Sequence, residues 1–222
     1  QIYYDSGDWR ATWAGEGGGV LLNQCPHQLD LLQWICGLPK TVQAFCQEGK
    51  WHDIEVEDDV TAYLQFENGA TGVFVTTTGD APGTNRFEVT GTLGKLVCEN
   101  DRLTFWKLEE DEREFCRTAQ EGFAKPPCQE IQVETNGENL QHVGILNAFA
   151  GNILHGTPLV ADGREGIRGL TLSNAMHLSS WLGRPVDIPF DEDLFLAELN
   201  KRRETSRKKE TRDITFSTEG TY

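Results

Sequence analysis

Apolar and polar positions change their period along this chain. Val20, Leu21, Leu22, Leu29, Leu31, Leu32, Trp34 and Ile35 give a broad apolar face, the mark of an amphipathic helix, and Gly37 with Pro39 forms its stop. From Thr41 to about Val133 the period becomes two. Val60, Ala62, Leu64 and Phe66 alternate with Thr61, Tyr63 and Gln65, and Asn68-Gly69 supplies the positive-φ positions of a tight turn. Ala70 to Thr78 then returns as the second arm of a hairpin. RFEVTG, GKLVCEN, RLTFWKL and EREFCRT read as further short strands, antiparallel because their connections are too short for a crossover.

The helical period returns from Glu138 to Gly156. Asp162-Gly-Arg-Glu165 has the form of a capping box opening a second helix that ends at Trp181-Leu182-Gly183. PVDIPF, bracketed by Pro185 and Pro189, is extended, and DEDLFLAELNKRR sets acids first and bases last, as a helix dipole favours. Strands grouped together and helices grouped together make an α+β fold, a largely antiparallel open sheet with helices on one face. The whole chain, 1–222, reads as one domain: an N-terminal loop and helix (1–37), a sheet (41–133), helices (138–205) and a tail (206–222).

Length and charge narrow the function. A chain of 222 residues can bury a substantial core, and a net charge of −15 argues against nucleic acid or an anionic membrane as partner. The one basic run, Lys201 to Arg212, reads as a frayed helix end and solvated tail. The six cysteines show no paired or metal-ligand spacing, so reduced thiols and a cytoplasmic location are expected.

Gly15, Gly17, Gly18 and Gly19 lead into an apolar segment as a phosphate loop would. Their spacing fails the dinucleotide fingerprint, since Val20 stands where the third glycine belongs, and no buried strand precedes them. The glycines therefore serve a close backbone approach at a helix start. Asn23 and His27, at i and i+4, would share one helix face about 6 Å apart, with Pro26 bending the helix beside them. A polar pair at a kink suits a cleft wall; a satisfied core histidine is the other reading. His142, His155 and His177 are read as packing or solvent-facing residues, and WHDIEVEDD, where acids alternate with apolar residues around His52, as a solvated edge without a metal site.

The segment WRATWAGEGGGVLLNQCPHQLDLLQWICGLP, followed in order by RFEVTGTLGKL, HVGILNAFAGNILHGTPLVADGREGIRGLTL and SSWLGRPVDIP, resembles the C-terminal domain of the glucose–fructose oxidoreductase/inositol dehydrogenase/MocA (Gfo/Idh/MocA) family. The GGGVLLNQCPHQLD block is specific; the later ones are supportive. The resemblance implies the substrate-side domain of an oxidoreductase that transfers hydride between NAD or NADP and a hydroxyl-bearing carbon of a sugar, cyclitol or glycoside. It implies that His27 is the general acid/base, assisted by Asn23 where many relatives carry aspartate, and that both contact substrate. It also implies that Trp9 and Arg10 lie near the nicotinamide. Arg10 reads equally as a surface arginine, and Trp13 either as a plate for a sugar face or as ordinary packing.

Such enzymes hold their cofactor in an N-terminal Rossmann domain that also carries a Glu-Lys-Pro lysine. Neither motif occurs in this sequence, whose sole methionine is Met176. This chain alone is therefore expected to bind no cofactor and to be inactive without a Rossmann partner, and to form a homo-oligomer through its open sheet face. The alternative is a non-enzymatic module for oligomerisation or sugar binding.

Overall fold

The structure, a computed structural model, describes residues 1–138 and 140–209. Its elements are α1 (Ile2–Asp5), α2 (Pro26–Cys36), β1 (Thr41–Glu48), β2 (Glu57–Gln65), β3 (Thr71–Thr77), β4 (Arg86–Gly91), β5 (Gly94–Glu99), β6 (Arg102–Leu108), α3 (Glu112–Thr118), β7 (Cys128–Val133), α4 (Gln141–His155), α5 (Gly166–Leu182), β8 (Val186–Asp187) and α6 (Glu192–Glu204). The architecture is α+β with antiparallel strands. The strands divide between two four-stranded sheets, β3-β2-β1-β8 and β4-β5-β6-β7, where the sequence suggested one. The backbone likewise falls into two compact units, Gln1–Asp80 with the segment from Val160 onward, and Ala81–Leu159.

In the first unit, alternation in β1 and β2 splits the sheet into two unlike faces. Val42, Ala44, Val60, Ala62 and Leu64 point inward and are sealed beneath α2 and α5, where they meet Leu21, Leu29, Leu172, Ala175 and Met176. The register pairs Gln43 with Tyr63 and Phe45 with Thr61, and then Tyr63 with Val73 and Thr61 with Val75. Phe45, Tyr63, Val73 and Val75 therefore line the opposite, exposed face. The hairpin turns at Gly69 (φ +83°), as its Asn-Gly pair demands. A second core patch joins Tyr4, Ala11, Trp13, Ile54 and Val56 to Tyr3, Trp181 and Leu199.

The second unit carries the β4–β7 sheet with α3 and α4. Here EREFCRT is helix α3 and not a strand. Asp111 caps it by accepting from the Arg113 and Glu114 amides, with acids in its first turn and Arg117 in its last. Those end effects outweigh the weak alternation of a seven-residue segment.

The late helices follow the local signals. Asp162 accepts from the Arg164 amide and opens a 3₁₀ turn (Gly163–Glu165) that leads into α5, which stops at left-handed Gly183. Asp191 caps α6 through the Leu194 amide. The Val186–Asp187 segment pairs with the start of β1.

Two readings of charged segments are corrected. In the acidic run 51–59, Glu57 and Asp58 are fully buried together with Ile54 and Val56, because both carboxylates collect backbone N–H donors. Asp58 accepts from the amides of Lys50, Trp51 and His52 at 2.8–3.0 Å, and lies 3.1 Å from His52 Nδ1. The residues after α6 are also not a free tail. Ser206 Oγ donates to Glu55, Arg207 reaches Glu55 and Asp53, and Lys209 Nζ donates to the carbonyls of Tyr4 and Arg10. The remainder of the basic run and tail, 210–222, lies outside the described residues.

Candidate active site

The glycine-rich segment is built against strand β2. A Cβ on Gly19 would sit 2.1 Å from the Glu57 carbonyl oxygen, and one on Gly15 would meet the Trp9 backbone at 2.5 Å. The close approach inferred from sequence is thus real, and it serves packing. The Gly19 amide donates to both oxygens of the Glu57 carboxylate (2.9 and 2.8 Å), the Leu21 amide to Oε1 (3.0 Å), and the Val20 amide to the Glu57 carbonyl (2.9 Å).

The geometry of Asn23 and His27 differs from the expected kinked helix. Helix α2 begins at Pro26, with Cys25 as its cap residue, so Pro26 occupies the first turn, where its missing N–H costs nothing. Asn23 lies before the helix, in a turn held by the Gly19 and Val20 carbonyls. Its amide is engaged at both ends. Tyr3 Oη donates to Oδ1 at 2.6 Å, and Nδ2 donates to Glu16 Oε1. Asn23 therefore makes no hydrogen bond to His27 and does not orient that ring. His27 itself is exposed in the first turn of α2.

Arg10 completes a closed circuit with Asn23. Its Nη1 donates to Tyr3 Oη at 2.7 Å, and its guanidinium stands 4.4 Å from the Tyr3 ring centroid and 4.5 Å from that of Trp9. The circuit closes through Glu16, whose Oε2 accepts from the Ala11 amide at 2.6 Å. Ala11 is buried at φ +54°, a strained conformation for a residue with a Cβ, and this bond helps to hold it there. A guanidinium fixed between two aromatic faces presents a donor fork with little orientational freedom, suited to a phosphate or carboxylate. Trp9 is 47% exposed and available to a ligand.

Trp13 is not. It is 4% exposed and packs edge-on against His177 and Trp181, with ring centroids 5.8 and 5.6 Å away. The packing role holds for Trp13, and the sugar-plate role is withdrawn. His177, also buried, brings Nε2 to 3.0 Å from Glu57 Oε2, while His142 and His155 are exposed. Sequence reasoning missed Tyr3, Glu16, Glu57 and His177. Each is an isolated polar residue whose partner is 7 to 120 positions away, and no local pattern marks such pairings. Among the described residues, no group of three or more histidine, cysteine, aspartate or glutamate side chains is arranged to hold a metal ion.

Residues 2–97 match the family model of the GFO/IDH/MocA C-terminal domain. The WlbA dehydrogenase from Chromobacterium violaceum, solved with NADH and UDP-GlcNAcA, is similar over 86% of this chain at 29% identity and a TM-score of 0.65. At 22% identity, the Bordetella pertussis WlbA dehydrogenase shares the fold over 85% of the chain (TM-score 0.58). A levoglucosan dehydrogenase solved with NADH and levoglucosan does so over 82% at 18% identity (TM-score 0.63). This chain spans about half the length of each, 52%, 50% and 53% respectively. No curated protein matches it.

Proposed function

We propose that this chain is the substrate-side domain of an NAD(H)-dependent oxidoreductase that moves hydride to or from a hydroxyl-bearing carbon of a sugar-type substrate. The observation that carries the reading is the position of His27. Its ring is open to solvent in the first turn of α2, four residues beyond Asn23, in a domain whose solved neighbours are dehydrogenases holding NADH. When hydride leaves a carbinol carbon, the hydroxyl proton needs an acceptor, and an accessible imidazole is a suitable one.

In this reading His27 holds or releases that proton. Arg10, pinned between Trp9 and Tyr3, binds an anionic group of substrate or cofactor, and Asn23 keeps Tyr3 and Glu16 in register beneath it. The nicotinamide, NAD or NADP, supplies the hydride. It is held by a nucleotide-binding domain outside these 222 residues, so the chain alone is inactive.

The test joins the chain to the nucleotide-binding domain of a GFO/IDH/MocA relative and measures turnover on sugars and nucleotide-linked sugar acids with either cofactor. His27→Ala is expected to lower kcat by about 10²- to 10⁴-fold, and Arg10→Ala chiefly to raise KM. Unchanged turnover in His27→Ala would remove His27 from its role. A second reading, a module that binds sugar or builds an oligomer without redox chemistry, draws on one observation: Asn23 gives its amide to Tyr3 and Glu16 and leaves His27 without an orienting partner there. Sugar binding that persists in His27→Ala, with no turnover in the joined protein, would favour it.

We further propose that the exposed face formed by Phe45, Tyr63, Val73 and Val75 is the surface for self-association, in a protein that works in the cytoplasm. An apolar row of this kind is stabilised by being covered. Among the described residues no helix is long and apolar enough to cross a membrane.

A further inference from the structure

Glu57 is fully buried, yet the reaction outlined above makes no use of it. Burying a carboxylate is costly unless several donors meet it, and a hydrophobic replacement is often no less stable. Its well-directed bonds all run to the glycine segment: two from the Gly19 amide and one from the Leu21 amide, at 2.8–3.0 Å. His177 Nε2 lies 3.0 Å from the same carboxylate but outside hydrogen-bonding direction.

From those two amides a continuous ladder leads to the site. The Gly19 carbonyl accepts from the Leu22 and Asn23 amides (3.1 and 3.0 Å), and the Val20 carbonyl from Gln24 and Cys25 (3.2 and 3.0 Å). Cys25 caps α2, and its carbonyl accepts from Leu29 at 3.1 Å, closing the turn that contains His27.

We infer that Glu57 is a positioning residue: its buried carboxylate fixes the Gly19–Cys25 turn and thereby sets where Asn23 and His27 stand. The inference rests on the reading of His27 as the acid/base group. Gly19 belongs to the same device, because only a residue without a side chain lets its amide sit over the Glu57 backbone.

The test uses NMR on the chain without nicotinamide or sugar, comparing the parent, Glu57→Gln and a control, Leu64→Ala, which removes a buried side chain from the same strand. In the parent, the Gly19 and Leu21 amides should exchange at least about a hundredfold more slowly than that of fully exposed Phe123. Glu57→Gln should cut that protection tenfold or more and shift the Asn23 side-chain amide and His27 ring resonances. Leu64→Ala should lower stability and leave those resonances in place. If Glu57→Gln behaves like the control, the inference is overturned. Should Glu57→Gln fail to fold, the parent decides, since unprotected Gly19 and Leu21 amides overturn the proposal and protected ones support it. Failure of the hydride-transfer reading would appear separately, as unchanged turnover in His27→Ala, and does not alter the outcome of the Glu57→Gln comparison.

Discussion

At Gly19 there is room for a hydrogen atom and little else. A methyl group would meet the Glu57 carbonyl oxygen at 2.1 Å, and backbone cannot yield as a flexible side chain can. Gly19→Ala should therefore destabilise the chain by about 2–4 kcal/mol, while Gly163→Ala, whose Cβ would meet open space, should stay within about 0.5 kcal/mol; urea unfolding of both measures the contrast. Asn23 is equally specific. Its Nδ2 donates to Glu16, so Asn23→Asp would set two carboxylates against each other in a half-buried site. The new carboxyl would titrate above its unfolded value. The deficit relative to the parent is then small at low pH and grows as pH rises through the folded pKa, to about 1–2 kcal/mol at pH 7; denaturation at pH 4 and pH 7 reads the sign. Burial pushes the Cys25 thiol up to about 12 and raises Cys46 as well, and alkylation needs the thiolate. Iodoacetamide on the native chain should label the exposed Cys36, Cys98, Cys116 and Cys128, and mass spectrometry should find Cys25 and Cys46 spared.

Single elements were legible where the signal was local. The Asn68-Gly69 hairpin, the α4 stop at Gly156, the α5 stop at Gly183 and the Asp191 cap of α6 each depend on a turn residue or a side chain within three positions of its partner. The bend expected at Pro26 is a helix start instead, because the apolar run before it, Val20 to Leu22, continues a helical pattern that the backbone does not follow. Those residues are core-facing in a turn bonded to Glu57, and the proline opens the helix. The C-terminal strap was illegible for a related reason: Ser206 and Lys209 find their partners 151 and 205 positions away. Replacing both with alanine should loosen the Tyr4–Trp13 loop, increasing hydrogen exchange there severalfold while the β1–β2 amides keep their protection. Equal exchange in the loop would show that the strap contributes no rigidity.

Over the whole molecule, alternation in β1 and β2 identified the antiparallel sheet and which residues its helices cover, and the core forms on that side. It could not reveal that β4 to β7 make a separate sheet, because a strand's side-chain period is the same whichever neighbour it pairs with. The uncovered face yields a test at this scale. Val73 and Val75 are 68% and 64% exposed, so Val73→Lys with Val75→Glu should leave the fold intact and shift sedimentation toward the monomer. An unchanged sedimentation coefficient would assign self-association to another surface.

The sequence by itself determined the α+β class and the order of most elements, because periodicity, caps and turn residues act within a few positions. Only the tertiary structure decided that Asn23 serves Tyr3 and Glu16, that Trp13 belongs to the core, and that Glu57 lies buried beneath the glycines. Those outcomes depend on which distant donors meet a polar group once water has been removed, and that is settled by packing across the fold.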